Sequence, residues 1–436
     1  MLLFRSDVYR VAGHLWSSFV VHCGAFSHAG MAGKESKSAA KKSTSAKETR
    51  QPRKDPLWKA LLPIVVVLVS GLGPMLYKYG WRILLPSDLK TLDIDADTWM
   101  DEVLPNRTFV FVAGHHRGGT TLMWEILREH PDVGAFGQVH ETGVDKSEGA
   151  FLQSVLPTFG VGSETTWMHR VGASKKILRG VGTYALHKFG NVTWNEVNLR
   201  ERVTPSNLVK LLNEWGYFWK ANGGWDKYYW MEKTPTNAVL SRFIQALFDQ
   251  GLETEQRTNK LNVPWDLPRD SRTKFVFMMR HPLGNAMAHQ QWNSAKHLSL
   301  QTLLENWISV SRIMTEDCDH LKHCLFVRLE DLAKDPVQEI ARVVSFLGLP
   351  DFKWGTKVYP DPNEKYAQSY CSAMAEANKG GVEALLQHVN LIKEFGEEVK
   401  KFGYDLNEWP CLQDSQKSFV EKWKDLAEQR KQKEEL

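Results

Sequence analysis

Cysteine is scarce in this sequence: five residues in 436, with no CxxC pair and no cysteine–histidine spacing that would build a zinc site. No internal repeat is found, and a basic surface is missing from most of the chain. Residues 32–54 are net +6 and residues 1–31 net +1, so everything from Asp55 onward is net −3 although the total is +4. The body is therefore not a basic nucleic-acid binder, and the positive balance belongs to a tail. The chain is long enough for a large core in one or two domains, which suits an enzyme.

Long uncharged runs are also rare. The one that stands out is "ALLPIVVVLVSGLGPMLY", Ala60 to Tyr77, eighteen residues between Lys59 and Lys78. At ~1.5 Å per residue this is near the shortest helix that spans a bilayer. Its proline and glycine residues suit a membrane helix better than a soluble one, with a buried or interfacial helix as the alternative. Strongly basic residues precede it, whereas Lys78 to Asp97 carries three basic and four acidic groups, so the C-terminal body is expected to face a lumen. Residues 1–30 read either as a poor targeting peptide or as an extension upstream of Met31.

The expected organisation is a disordered basic tail (1–56), a single transmembrane anchor (57–82), a stalk (83–105), a catalytic domain (106–410) and a charged C-terminal helix or tail (411–436). Glycosylation sequons at Asn106 and Asn191 agree with a lumenal body. Cys318, Cys324, Cys371 and Cys411 allow two disulfides in an oxidising compartment, four buried thiols being the alternative.

Within the body, Thr108–Ala113 is an unbroken apolar run of the kind buried on both faces of a parallel sheet. Further strands are expected in "PDVGAF" and over Lys274–Met279 and Cys324–Leu329. Helices are expected after the first strand, over Pro205–Lys220, Asn237–Asp249, Leu300–Leu321 and Pro336–Leu347. Strands alternating with helices predict a three-layer, P-loop-like α/β fold around a central parallel sheet, with its ligand at the carboxyl ends of the strands. Gln250–Asp270, charged and proline-containing, reads as a surface loop.

The stretch "FVFVAGHHRGGTTLMWEIL", Phe109 to Leu127, fits a phosphate loop except that its lysine is missing: position 120 is threonine. Amides of Gly118, Gly119 and Thr120 at a helix start would make an anion cradle, with hydroxyls of Thr120 and Thr121 beside it. The cation is Arg117, whose fork of donors suits a tetrahedral oxyanion without a metal. "FVFMMRHP" ends in Arg280 where a magnesium-binding aspartate would be expected, which disfavours a kinase or ATPase.

"HRGGTTL" resembles the 5′-phosphosulfate loop of sulfotransferases. In the same order, "KFVFMMRHPLGNAMAHQQW" resembles that family's 3′-phosphate strand and helix, and "MEKTPTNAVLSRFIQALF" the lysine segment of its membrane-bound Golgi and tyrosylprotein-type members. "FVRLEDLAKDPVQEIARVVSFLGLP" and "KEFGEEVKKFGYDL" resemble its later strand and helices. The resemblance covers about Arg107 to Leu406. It implies the sulfuryl donor 3′-phosphoadenosine 5′-phosphosulfate (PAPS), used without a metal, and an acceptor hydroxyl on a glycan or a protein tyrosine. By position, Arg117, Gly118, Gly119, Thr120 and Thr121 would hold the 5′ end and Arg280 would meet the 3′ phosphate. Ala288 stands where the family usually has serine, with Asn285 or His289 as substitutes.

Transfer to a hydroxyl needs a base and cations around the developing charge. The resemblance places the base after the second strand, in "GQVHETGVDKSEG", where Glu141 is favoured and His140 and Glu148 stay open. Lys233 resembles the lysine that reaches the leaving bridge oxygen. Arg242 is either a helper or a solvated helix face. Trp215 and Trp219, four apart, read as core, and Trp225 and Tyr228 as acceptor contacts. Two rival readings are a phosphoryl-transferring P-loop protein, opposed by Thr120, and an anchored interaction protein that keeps the fold without catalysis.

Overall fold

The computed structural model describes residues 91–137, 148–156, 194–261, 269–291, 296, 298–380 and 383–409. Five strands form one sheet: β1 (Thr108–Gly114), β2 (Val133–Ala135), β3 (Tyr229–Lys233), β4 (Thr273–Met279) and β5 (Cys324–Arg328). Their order across the sheet is β2-β3-β1-β4-β5, and every pairing is parallel.

The apolar runs follow from burial on both faces. Along β1 and β4, Phe109, Phe111, Phe275 and Phe277 join one core cluster, while Val110, Val112, Val276 and Met278 join another. On the first face lie α2 (Pro205–Ala221), α3 (Ser241–Phe248), α6 (Leu300–Cys318) and part of α10 (Glu383–Lys400). On the second lie α1 (Thr120–Leu127) and α8 (Pro336–Leu347). Further helices are α4 (Leu252–Arg257), α5 (Pro282–Gln290), α7 (Leu329–Lys334) and α9 (Glu364–Gly380). This is the expected three-layer α/β arrangement.

Helix ends follow local chemistry. Thr204, Ser299 and Asp335 each accept a backbone N–H of the first turn, and Pro205 and Pro336 occupy early positions where an N–H is not needed. Gly348, at φ 74°, ends α8 in the left-handed region.

Lys233, expected at a strand end or a helix entrance, is the last residue of strand β3. Three boundaries differ from expectation. The helix expected over Asn237–Asp249 is split into a 3₁₀ turn, Pro235–Val239, and α3. Gln250–Asp270 is not loop throughout: it contains α4, whose buried Glu255 pairs with the fully buried Arg272 at the start of β4. Finally, residues 92–104 of the expected stalk belong to the folded body. Trp99 is fully buried and donates its indole N–H to Asn213 Oδ1 at 2.9 Å, and the Leu92 amide bonds to the Asn213 carbonyl, because α2 supplies an apolar face there.

Cys318 and Cys324 form a disulfide, and Cys371 is also disulfide-bonded. Among the described residues no helix is long and apolar enough to cross a membrane; the expected anchor, Ala60–Tyr77, lies outside them.

Strand order locates the place where a ligand fits. The chain leaves β1 toward β2 and leaves β4 toward β5, on opposite sides, so a crevice opens between the carboxyl ends of β1 and β4.

Candidate functional site

β1 runs into that crevice through Gly114, at φ 131°, where any Cβ would overlap the Met278 carbonyl of β4. His115 N still bonds to Met278 O at 3.2 Å, and the chain then turns tightly, Gly118 N donating to His115 O at 2.9 Å. Arg117 takes φ 61°, unusual for a side chain other than glycine, and its side chain is exposed. Gly119, at φ 101°, leads into α1, and a Cβ there would lie 2.8 Å from Leu329 Cδ1.

Met123 N is bonded to Gly119 O at 3.1 Å, so the amides of Thr120, Thr121 and Leu122 precede the helix's own hydrogen-bond ladder. With the helix dipole they are donors suited to an anion, and of the amides expected in a cradle that of Thr120 is among them. The Gly118 amide does not join them, because it closes the turn onto His115.

Arg280, at the end of β4, is 5% exposed and faces the loop's backbone. Its Nη1 donates to Arg117 O at 3.1 Å, Nε to Asn363 Oδ1 at 2.8 Å, and Nη2 to Pro362 O, with the guanidinium over the Tyr366 ring. Burial lowers its pKa, against the attraction of Tyr366 and Glu330. Glu330, just after β5, accepts from the His281 amide at 2.8 Å, Asn363 Nδ2 at 2.7 Å and the Tyr404 hydroxyl at 3.2 Å. The residue expected to meet a 3′ phosphate is thus also the brace that ties the loop to residues 362–363.

Asn285 and His289 face the same loop from α5. Asn285 Nδ2 donates to His116 O at 2.7 Å, and His289 Nδ1 donates to Asn285 O at 2.9 Å. Asn285 thereby orients the loop with the amide that was expected to replace a missing serine. Ala288 is fully buried within the first core cluster.

Three imidazoles surround the loop and all are held neutral. Burial pushes His115 down to about 3, with the His289 charge adding to it. His115 stacks on Trp307 at 5.1 Å and shares a hydrogen bond with Ser311 Oγ at 2.9 Å. Burial likewise pushes His289 down to about 4, opposed by its bond to Asn285 and aided by Arg117 and Arg280. His116 is lowered by burial, then by His289, Lys233 and Arg117. Among the described residues the basic side chains here are Arg117, Arg280 and Lys233.

Lys233 ends β3 opposite Val112 of β1 and is 1% exposed. Its Nζ meets Glu148 Oε1 at 2.7 Å. Of the three candidate bases, Glu148 is thus brought to Lys233, while His140 and Glu141 lie outside the described residues. Next to Lys233, the fully buried Glu232 accepts from Gly149 N at 2.7 Å, Thr234 Oγ1 at 2.5 Å and Asn237 Nδ2. Burial raises its pKa to about 7, with those bonds, the ammonium of Lys233 and the carboxylate of Glu148 as lesser influences.

Arg242 is paired with Glu196 away from this group. Trp215 and Trp219 are fully buried, as expected, their indole N–H groups bonded to Gly149 O and Met231 O at 2.9 and 3.0 Å. Trp225 and Tyr228 are not at the site: they precede β3, at the amino end of a sheet whose carboxyl end carries the loop. Among the described residues no group of three His, Cys, Asp or Glu side chains is gathered as metal ligands would be.

Sequence reasoning missed His116, Glu232, Glu330 and Asn363. For the first two a signal was present, a histidine beside the loop cation and a glutamate beside the lysine. Glu330 and Asn363 act through contacts that only the fold creates.

Residues 272–353, from the start of β4 to beyond α8, match the model of a family described as the sulfotransferase family. No curated protein matches the chain. Among solved structures, the chain is similar to the sulfotransferase domain of the Synechococcus PCC 7002 olefin synthase (17% identity, 60% of this chain and 86% of that one, TM-score 0.30). It is also similar to the sulfotransferase domain of the curacin biosynthetic pathway (15%, 61% and 90%, TM-score 0.31). A third similar structure is a sulfotransferase from Alicyclobacillus acidocaldarius (14%, 62% and 92%, TM-score 0.32).

Proposed function

We propose that the protein is a sulfotransferase that moves a sulfuryl group from PAPS to a hydroxyl on a glycan or a protein tyrosine. The observation that carries this reading is the loop of Arg117: an exposed arginine over a helix start, braced from below by Arg280 and one strand away from the Lys233–Glu148 pair. The family match to residues 272–353 supports it from the strand that ends at Arg280.

The residues fit an anionic sulfuryl donor. The first-turn amides of α1 and the hydroxyls of Thr120 and Thr121 face an anion as neutral donors, and Arg117 supplies the charge. Glycine at 118 and 119 permits the tight turn into α1, since a Cβ at 118 would come within 2.8 Å of the His115 carbonyl and one at 119 within 2.8 Å of Leu329 Cδ1. Bound there, PAPS would supply the sulfuryl group and a stable nucleotide leaving group.

The chain's own part is to orient, to accept a proton and to balance charge. Glu148, 14% exposed and held against Lys233, takes the acceptor's hydroxyl proton; Glu141 and His140 are the rival bases. Lys233 offers its ammonium to the negative charge that develops on the leaving oxygen. The neutral imidazoles of His115, His116 and His289 add no positive charge near Arg117.

We place the body in the Golgi lumen behind a single N-terminal membrane helix. The disulfide-bonded Cys318, Cys324 and Cys371 support an oxidising compartment, and the basic flank of Ala60–Tyr77 supports the orientation.

Calorimetric titration with 3′-phosphoadenosine 5′-phosphate tests the donor assignment. Binding is expected to persist in a chelator, to exceed binding of Mg–ATP, and to weaken about 10- to 100-fold in Arg117→Ala, as for loss of a charge-assisted hydrogen bond. Loss of binding in chelator, or preference for Mg–ATP, would overturn it.

A further inference from the structure

Glu232 takes no part in the chemistry just described and is too deeply buried to touch a substrate. Its bonds nevertheless converge on the segment that displays Glu148. Oε1 accepts the Gly149 amide at 2.7 Å and the Thr234 hydroxyl at 2.5 Å, and Thr234 Oγ1 in turn lies 3.3 Å from the Ala150 amide that donates to it. From the other side, the Trp215 indole N–H holds the Gly149 carbonyl at 2.9 Å. Gly149 is therefore gripped at both its N–H and its C=O, and glycine is required there: a Cβ would stand 2.8 Å from Glu232 Cγ.

We propose that Glu232 is a positioning residue, which clamps the Gly149 backbone so that Glu148, one residue earlier, is held against Lys233. Adjacent residues on β3 thus do two jobs: Lys233 meets the Glu148 side chain, and Glu232 fixes the backbone that carries it. In its kinetic consequences this rests on the sulfotransfer reading; the clamp itself does not.

The carboxylate is not needed for its charge. Asn237 offers Nδ2 to Glu232, while its own Oδ1 is buried with no hydrogen-bond partner. A glutamine at 232 could still accept from Gly149, and a flipped Asn237 amide would accept from its Nε2. Glu232→Gln should therefore preserve the clamp that Glu232→Ala removes. Gly149→Ala should displace the same segment with Glu232 retained, its Cβ standing 2.8 Å from Glu232 Cγ and Oε1.

The test joins hydrogen exchange at the Gly149 amide, acetic anhydride labelling of Lys233 read by mass spectrometry, and steady-state kinetics. In Glu232→Ala and Gly149→Ala, we expect the amide to lose protection, Lys233 to label at least tenfold faster, and kcat to fall at least tenfold with the KM for PAPS within threefold. Glu232→Gln is expected to restore all three. The clamp is overturned if both the Ala variants keep Gly149 protected and Lys233 slow to label, or if Glu232→Gln behaves like Glu232→Ala. A wild type that transfers nothing to any acceptor defeats the sulfotransfer reading instead, and the exchange and labelling arms still decide the clamp. If Glu232→Ala does not fold, Gly149→Ala and Glu232→Gln decide it.

Discussion

Arg280 Nη1 donates to the backbone carbonyl of Arg117 at 3.1 Å, so the cation of one crevice wall holds the loop that presents the cation of the other. The two arginines are therefore not equivalent. Arg117 is exposed at a left-handed turn, while Arg280 is buried and bonded to the loop and to residues 362–363.

This difference predicts separable phenotypes. Arg117→Ala should weaken nucleotide binding and leave the melting temperature within about 2 °C, as for surface changes. Arg280→Ala should lower both, because three acceptors lose their donor at a buried site, a cost of about 1–3 kcal/mol. Thermal melts alongside calorimetry check this; equal stability loss in both variants would contradict it.

Lys233→Met removes the partner of Glu148 while filling the same buried space. We expect kcat to fall about 10²- to 10³-fold, the range for losing one preorganised electrostatic donor. Affinity for the sulfur-free product nucleotide should change little, since the ammonium is assigned to the leaving oxygen in the transition state. Stopped assays paired with binding isotherms separate the two effects.

Much of the fold was legible because its strands are apolar runs, as in Phe109–Ala113 and Phe275–Met279, and because Thr204, Ser299 and Asp335 announce their helices. β3 was legible only at its end, where Lys233 reads as a strand end or a helix entrance, since Tyr229–Lys233 closes on two charged residues where an internal strand should be apolar; local rules tend to fail at such functional positions. The Glu255–Arg272 pair hid the helix inside a charged insertion, because burial of a charge is decided by its tertiary partner. Arg117 and Lys233 could be picked out from short motifs. The joining of Lys233 to Glu148, 85 positions away, needed the parallel sheet to bring β3 beside the loop.

Stability should depend on pH through Asp317, which burial raises from 3.8 to about 6 while it accepts from Ser241 Oγ at 2.7 Å. Between these values the folded state binds more protons than the unfolded state, so this group makes stability fall as pH rises from about 4 to 6. The size is on the order of 2–3 kcal/mol. Asp317→Asn keeps an acceptor for Ser241 and should flatten this part of the profile in chemical denaturation. An unchanged slope would count against it.

Reducing the Cys318–Cys324 bond, which closes a short loop between α6 and β5, should destabilise the body by about 2 kcal/mol on the chain-entropy account. Denaturation of Cys318→Ser/Cys324→Ser against wild type measures it.

The central claim is metal-free sulfuryl transfer by the Arg117 loop. The most direct measurement incubates the purified body with sulfur-labelled PAPS, in chelator, with a panel of glycans and tyrosine peptides, for wild type and Arg117→Ala. Label on at least one acceptor, insensitive to chelator and reduced at least tenfold in Arg117→Ala, is the predicted result. No labelled product with any acceptor, together with no binding of the donor, would contradict the account.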